Sequence, residues 1–166
     1  MGFKAAYPLD VSALDKRYRE LSLELHPDRF AQAEARERRF SVEQSSALND
    51  AYKTLKDPVR RAFYLLKLHG IDLDKEEAGA QKNMPHAFLE EVMELREELD
   101  QARLARDLKK AQQMGMAVEK RSKEALALGV SALEAGSYEV ASHELGRVRY
   151  FQRFLEEVSA IEEDSL

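Results

Sequence analysis

Apolar residues recur at spacings of three and four along most of this chain, and this periodicity constrains the fold more than any other feature. The first such stripe consists of Val11, Leu14, Tyr18, Leu21 and Leu25. A stripe of this kind makes one face of a helix apolar, and that face must pack against another element. Only seven glycines and four prolines occur in 166 residues, so few positions force a helix to end. The sequence therefore predicts an all-α protein.

Three helices are expected in the N-terminal part of the chain. Asp10 is the predicted N-cap of the first helix, and Pro27 ends it because the residue before a proline is displaced from the helical region. A second helix is expected over about 34–55. The residues expected on its buried side are Phe40, Ala47, Leu48, Ala51, Tyr52 and Leu55. Asp57 and Pro58 supply the N-cap and the first position of a third helix. This helix is expected to end at Gly70.

A polar stretch over residues 71–84 separates these helices from the rest of the chain. Its glycine and charged residues are typical of a linker. We therefore predict an N-terminal domain over 1–70 and a C-terminal domain over 85–166. The expected architecture is a helical hairpin with an additional short helix, linked to an antiparallel three-helix bundle.

The helices expected in the C-terminal domain are long. The first begins at Pro85 and reaches about Asp100, the second covers about 104–135, and the third runs from Ser137, its N-cap, to about 162. The residues expected in the core stripe of the first are Phe88, Val92, Leu95 and Leu99.

Composition excludes several classes of function. The chain has no cysteine, which excludes disulfides, thiolate ligands and thiol catalysis. A metal-dependent hydrolase built on His26 and Asp28 has little support, because no second histidine stands at a metal-binding spacing. Basic and acidic residues are mixed, which disfavours nucleic-acid binding. We expect no cofactor and no membrane partner, and the start MGFKAAYPLD, which lacks signal-peptide and transit features, predicts a cytoplasmic protein.

Charge is distributed unevenly along the chain. Residues 1–70 carry 13 Lys/Arg against 10 Asp/Glu, and the remainder carries 13 against 21. The two parts therefore differ in sign, which suits two partners of opposite surface character.

Residues His26, Pro27 and Asp28 interrupt the helical pattern between two helices that must pack together. On its own the triplet could be only a turn with solvated polar side chains. Its context is more specific, because YRELSLELHPDRF is followed by SALNDAYKTLKDPVRRAFY. This arrangement resembles the J domain, in which a His-Pro-Asp loop joins two antiparallel helices. The short first helix of that family is not matched by the start of the chain, so we expect it to be missing or irregular.

The resemblance implies that a DnaK-type chaperone binds the loop and the preceding helix and that its ATPase is stimulated. The residues implied to contact the chaperone are Lys16, Arg17, Arg19, His26, Pro27, Asp28 and Arg29. Pro27 stiffens the loop and so reduces the entropy lost on binding. Asp28 offers a carboxylate that an arginine of the partner can bind through two hydrogen bonds. For the cations of the helix, a solvated face without a partner is the alternative.

The resemblance continues beyond the J domain. The runs EQSSALNDAYKTL, RAFYLLKLHGIDL, FLEEVMELREELD and RVRYFQRFL look like the HscB family over about residues 9–157. This family comprises dedicated J-type co-chaperones of iron–sulfur cluster biogenesis. The LREELD run is more discriminating than the loop, since ordinary J proteins do not carry it.

In the HscB family the C-terminal bundle binds an IscU-type scaffold protein through apolar and acidic residues. The positions implied here are Leu89, Glu90, Met93, Glu94, Glu97, Gln101 and Tyr150. Glu90 stands where an apolar residue is common, and Gln101 where an acid is common. On a helical wheel Leu89 and Met93 lie beside the core stripe, either as an exposed patch or as a wider core. Tyr150 projects away from the apolar line of the last helix, so an exposed aromatic is expected.

The expected function is an adaptor with two binding surfaces and no catalytic activity of its own. The bundle would hold the cluster-loaded scaffold, and the J domain would present it to a DnaK/HscA-type chaperone and trigger ATP hydrolysis there. The alternative within this class is a general J-domain co-chaperone for unfolded clients, against which the LREELD run argues.

Overall fold

Helices account for all of the regular structure in the described part of the chain. The computed structural model describes residues 1–73 and 84–164. Its α-helices are α1 (Val11–Leu25), α2 (Ala35–Lys56), α3 (Pro58–Leu68), α4 (His86–Leu104), α5 (Leu108–Glu134) and α6 (Tyr138–Glu163), and a 3-10 turn covers Pro27–Phe30. The prediction of an all-α fold is confirmed.

Contacts group the chain into two compact units, Met1–Leu65 and Leu66–Leu166. The first contains the pair of α1 and α2, and the second contains α4, α5 and α6. The linker predicted over 71–84 falls mainly on residues 74–83, which lie outside the described residues. None of the helices in the two described ranges combines the length and apolar character that crossing a bilayer requires.

The helices α1 and α2 pack as an antiparallel pair. Oδ1 of Asp10 accepts a hydrogen bond from the backbone N–H of Ala13 at 3.1 Å, which confirms the predicted N-cap of α1. About two turns after Asp10, the Tyr18 hydroxyl donates to Oδ1 of Asn49 at 2.8 Å. The Tyr18 ring also stacks on Tyr52, with 4.0 Å between ring centroids. The first half of α1 therefore contacts the second half of α2, as an antiparallel arrangement requires.

Two residues predicted to lie on the buried side of α2 are exposed. Phe40 is 57% exposed, and Ala47 is also exposed. Ser41, which was not among the predicted residues, is completely buried, whereas Leu48 is buried as predicted. Successive residues of a helix are about 100° apart, so each buried residue turns its neighbour away from α1. The prediction was wrong here because a serine was not expected to face the partner helix.

An irregular segment precedes α1. Residues 1–10 contain no helix, in agreement with the expectation that the first helix of a J domain is missing or irregular. The Tyr7 ring lies 4.8 Å from the guanidinium of Arg61. Arg61 is buried and donates to the carbonyl of Leu55, in the last turn of α2. The guanidinium thus lies where the helix dipole of α2 is negative, and Tyr7 covers it.

The second unit is a three-helix bundle, as predicted, in which α5 and α6 contact each other most extensively. Glycines allow this close approach. A Cβ atom at Gly129 would lie 2.9 Å from the Leu145 side chain, and one at Gly115 would lie 3.2 Å from Val158. α4 covers this pair with Phe88, Val92 and Leu99, which are all buried.

The turns of the bundle differ from the prediction in detail. α4 continues to Leu104, and α5 begins only at Leu108. Asp107 is the N-cap of α5, because its Oδ1 accepts a backbone N–H of the first turn at 3.0 Å. Arg106 before it has a left-handed backbone with φ of 54°, a conformation without a clear sequence signal in arginine. Ser137 occupies the N-cap position of α6 but makes no side-chain capping bond.

Candidate functional site

The loop after α1 is ordered by its own residues. His26 has an extended backbone with φ of −61° and ψ of 128°, and Pro27 opens the 3-10 turn that follows. The backbone N–H of Asp28 donates to Nδ1 of His26 at 3.2 Å. The Asp28 side chain is 90% exposed. The loop therefore holds its backbone in place while it presents a carboxylate to solvent.

The two side chains of the loop present different hydrogen-bonding groups. Nδ1 of His26 lies 3.5 Å from Oδ2 of Asp28, but it also accepts the Asp28 N–H. A ring nitrogen that accepts such a bond carries no proton, so the neutral ring carries its proton on Nε2. In this form His26 offers an N–H donor beside the carboxylate acceptor of Asp28.

The predicted chaperone-contacting cations lie in two places. Nη1 of Arg29 donates to the carbonyl of Leu23 at 3.3 Å, so Arg29 belongs to the loop. The exposed cations of α1 are Lys16, Arg17 and Arg19. They precede the loop by about two to three helical turns. Arg17 also pairs with Glu20 at 3.2 Å.

Beside these cations, a polar cluster joins α1 to the end of α2. The Tyr52 hydroxyl donates to Oδ1 of Asp15, and Nζ of Lys56 lies 3.2 Å from the same oxygen. The hydrogen bond from Tyr52, followed by that from Lys56, lowers the pKa of Asp15. The bonds to Tyr52 and then to Asp15 raise the pKa of Lys56. Both groups are thereby held in their charged forms.

Sequence reasoning missed Ser41 and Ser45 of α2. Their hydroxyls donate to one acceptor, the carbonyl of Leu25, at 2.7 and 2.8 Å. Leu25 is the last residue of α1 and directly precedes the loop. A usable signal was present, because a helix that stops before a proline leaves carbonyl groups without backbone donors, and α2 carries two serines four positions apart.

The second candidate site lies on α4. We define the α4 surface as Leu89, Glu90, Met93, Glu94, Glu97 and Gln101. Met93 is 63% exposed, Leu89 is partly buried, and the polar members are exposed. Leu89 and Met93 are one turn apart and form the apolar part. His86 places Nδ1 3.2 Å from Oε1 of Glu90, at the N-terminal end of this surface.

Tyr150 is not the exposed aromatic that was expected, because it is partly buried. Its ring meets Phe88 edge to face, with 5.6 Å between centroids. Phe88 makes a similar contact with the buried Phe151, and the Arg147 guanidinium lies 5.2 Å from the Phe88 ring. Edge-to-face contacts of this kind are favourable, and they draw Tyr150 toward α4.

Comparisons with known proteins cover both parts of the chain that carry the candidate sites. Residues 8–64 match the family model of the DnaJ domain, and residues 84–159 match that of the HSCB C-terminal oligomerisation domain. The structure of chaperone HscB from Vibrio cholerae is similar, with a TM-score of 0.83 and 34% identity over 99% of this chain and 96% of that one. The chain belongs to the HscB family.

Other HscB-like structures come from eukaryotes. Human co-chaperone HscB is 34% identical with a TM-score of 0.83, and the match covers 98% of this chain and 79% of that one. The Jac1 co-chaperone from Saccharomyces cerevisiae is 29% identical with a TM-score of 0.74, covering 95% and 85%. As a member of the HscB family, the protein is a J-domain co-chaperone of iron–sulfur cluster biogenesis.

Proposed function

We propose that this HscB-family protein binds an IscU-type iron–sulfur scaffold protein and delivers it to a DnaK/HscA-type chaperone, whose ATPase it stimulates. One observation carries this proposal. The same chain has an ordered His-Pro-Asp loop with an exposed carboxylate and an apolar patch flanked by carboxylates on α4. The cluster is cargo of the scaffold in this scheme, and ATP hydrolysis takes place on the chaperone.

The loop supplies groups suited to recognition by the chaperone. The Asp28 carboxylate can accept two hydrogen bonds from one arginine, and the Nε2 proton of His26 adds a donor beside it. Because Pro27 and the 3-10 turn limit the loop's conformations, binding loses little entropy. The exposed cations of α1 and Arg29 attract an acidic surface and raise the rate of encounter.

The α4 surface suits a partner with an apolar centre and a basic border. Met93 exposes a large apolar side chain, whose burial in an interface would be favourable. Glu94 and Glu97 lie beside it and would favour basic residues of the scaffold. Tyr150, held against Phe88, offers an aromatic ring that needs little ordering on binding. We propose that Glu90 and Gln101 complete this contact at its edges.

The two contacts together give a mechanism. The bundle captures the cluster-loaded scaffold, and the loop brings the chaperone and accelerates its ATP hydrolysis. The chaperone then holds the scaffold in its tight-binding state, which promotes transfer of the cluster.

A steady-state ATPase assay with the scaffold and the HscA-type chaperone of the same organism tests the proposal. The expected result is stimulation by this protein alone and further stimulation when scaffold is added. A pull-down with the full chain should retain the scaffold in preference to a denatured client protein. Equal retention of denatured clients would instead indicate a general J-domain co-chaperone, and absence of any stimulation would refute the chaperone role.

A further inference from the structure

The last carbonyl of α1 is held by the neighbouring helix. Its two acceptor positions are filled by the hydroxyls of Ser41 and Ser45, at 2.7 and 2.8 Å from the oxygen of Leu25. Ser41 is completely buried, so no water replaces its bond. Ser45 is partly buried. Two side chains of α2 therefore fix the point at which the chain leaves α1.

This carbonyl needs side-chain donors because the helical pattern of bonds stops there. In a continuing helix the oxygen of Leu25 would accept from the N–H of Arg29. That N–H instead donates to the carbonyl of His26 at 3.0 Å, within the 3-10 turn. Pro27 has no N–H to offer. The backbone thus supplies no substitute for the two serines.

The bonds of the two serines are confined to the end of the helix pair next to the loop. They lie one helical turn apart and so face the same side of α2. The polar bonds from Tyr18 to Asn49, and from Tyr52 and Lys56 to Asp15, lie farther from the loop. Loss of the serine hydroxyls would therefore release the loop while the rest of the pair keeps its contacts.

We propose that Ser41 and Ser45 are positioning residues for the loop, and that their bonds to Leu25 fix the direction in which His26 and Asp28 face the chaperone. The inference rests on the proposed chaperone function. Without the two hydroxyls the loop samples other orientations. The chaperone then binds only the fraction of molecules in which His26 and Asp28 face it. The apparent affinity falls by that fraction, while stimulation at saturation is unchanged.

The test compares the full-length double variant Ser41→Ala/Ser45→Ala with the wild type. Ser46→Ala is the matched control, because Ser46 is an exposed serine of the same helix. We expect the concentration that gives half-maximal stimulation of the HscA-type ATPase to rise about tenfold, with the same maximum. Scaffold binding should be unchanged. Hydrogen exchange at the Asp28 amide, followed by NMR, should be faster, because that amide is bonded within the loop to Nδ1 of His26.

A purely structural role predicts a different pattern. A lower melting temperature, with half-maximal concentration and Asp28 exchange both unchanged, would overturn the inference. If the double variant is unfolded, Ser45→Ala alone is used, and it should shift both quantities in the same direction while Ser45→Thr, which keeps a hydroxyl, restores them. If the wild type itself fails to stimulate the ATPase, the chaperone proposal fails, and the exchange rate still decides whether the serines hold the loop.

Discussion

The Tyr52 hydroxyl donates a hydrogen bond to Oδ1 of Asp15 at 2.8 Å and joins the end of α2 to the start of α1. Nζ of Lys56 lies 2.6 Å from the same hydroxyl and 3.2 Å from the carboxylate oxygen. Tyr52 is therefore the centre of a cluster in which each charged group stabilises the other. The cluster fastens the helix pair at the end opposite the loop.

Replacing Tyr52 with Phe should raise the pKa of Asp15. The hydrogen bond from the hydroxyl is the largest cause of the lowered pKa, and phenylalanine removes it while keeping the ring that stacks on Tyr18. An NMR titration of the Asp15 carboxyl carbon measures the change. Tyr18→Phe is the control, because it loses only the bond to Asn49. An unaltered Asp15 pKa in the Tyr52 variant would show that the remaining causes, led by the hydrogen bond from Lys56, account for the shift.

The same cluster makes the stability of the first unit depend on pH. An aspartate in an unfolded chain titrates near pH 4, roughly, and the folded pKa of Asp15 lies below that value. The contribution of the Asp15 carboxylate to stability is therefore present above about pH 4 and is lost as pH falls through the folded pKa. Thermal melts should show Asp15→Ala below the wild type at neutral pH, with the gap closing in acid. A gap that persists at the most acidic pH would mean that packing, and not charge, is responsible.

The stabilising contribution of Lys56 to the first unit should be lost at high pH. Its pKa is raised by Tyr52 and Asp15, so its contribution is complete below the ordinary lysine pKa of about 10.4 and is lost as pH rises through the folded pKa. Lys56→Met keeps the apolar stem and removes the charge. We expect this variant to melt below the wild type at neutral pH and to converge with it in strong alkali, measured by circular dichroism.

The sequence carries most of the fold because its helices have clear starts and apolar faces. Asp10 and Pro27 set the limits of α1 through a cap and a missing N–H, which are local effects. The burial of side chains whose environment depends on another helix was harder to predict. Phe40 was placed inside by its apolar character alone, yet Ser41 takes that position because it can bond to α1.

In the candidate sites, too, local features could be predicted from the sequence, whereas contacts between helices could not. The loop could be located because Pro27 and its neighbours form a recognisable triplet, and the residues of α4 follow one helical face. The partial burial of Tyr150 could not be predicted, since it depends on the ring of Phe88 from another helix. A single-helix projection contains no information about such a contact.

Gly129→Ala should destabilise the bundle. Alanine favours a helix by about 1 kcal/mol over glycine, but its Cβ would lie 2.9 Å from the Leu145 side chain, which is fully buried. Overpacking of this kind costs about 1–3 kcal/mol, so we expect a lower melting temperature. Gly136→Ala is unsuitable as a control because Gly136 has a φ of +73°. The control is Ala127→Gly, at an exposed position of α5, because it changes only the difference in helix propensity between alanine and glycine. A melting temperature above the wild type would show that Leu145 moves without cost.

Asp28→Asn should abolish stimulation of the chaperone ATPase while the helix content stays unchanged. Asparagine keeps the backbone bond to His26 but removes the charge needed for a charge-assisted pair with arginine. Arg38→Ala, at an exposed position of α2 outside the predicted contact, is the control. Full stimulation by the Asn variant would refute the assigned role of the carboxylate.

Leu89→Ala/Met93→Ala should weaken scaffold binding by at least tenfold, or about 1.4 kcal/mol, because the two side chains form the apolar part of the α4 surface. Isothermal titration with purified scaffold measures the loss. The matched control is Met116→Ala/Leu128→Ala, which removes two exposed apolar side chains from α5. ATPase stimulation in the absence of scaffold should remain at the wild-type level in both variants, because the loop is unchanged. Equal weakening by the control pair would indicate that the scaffold binds elsewhere on the bundle, and loss of basal stimulation would indicate misfolding.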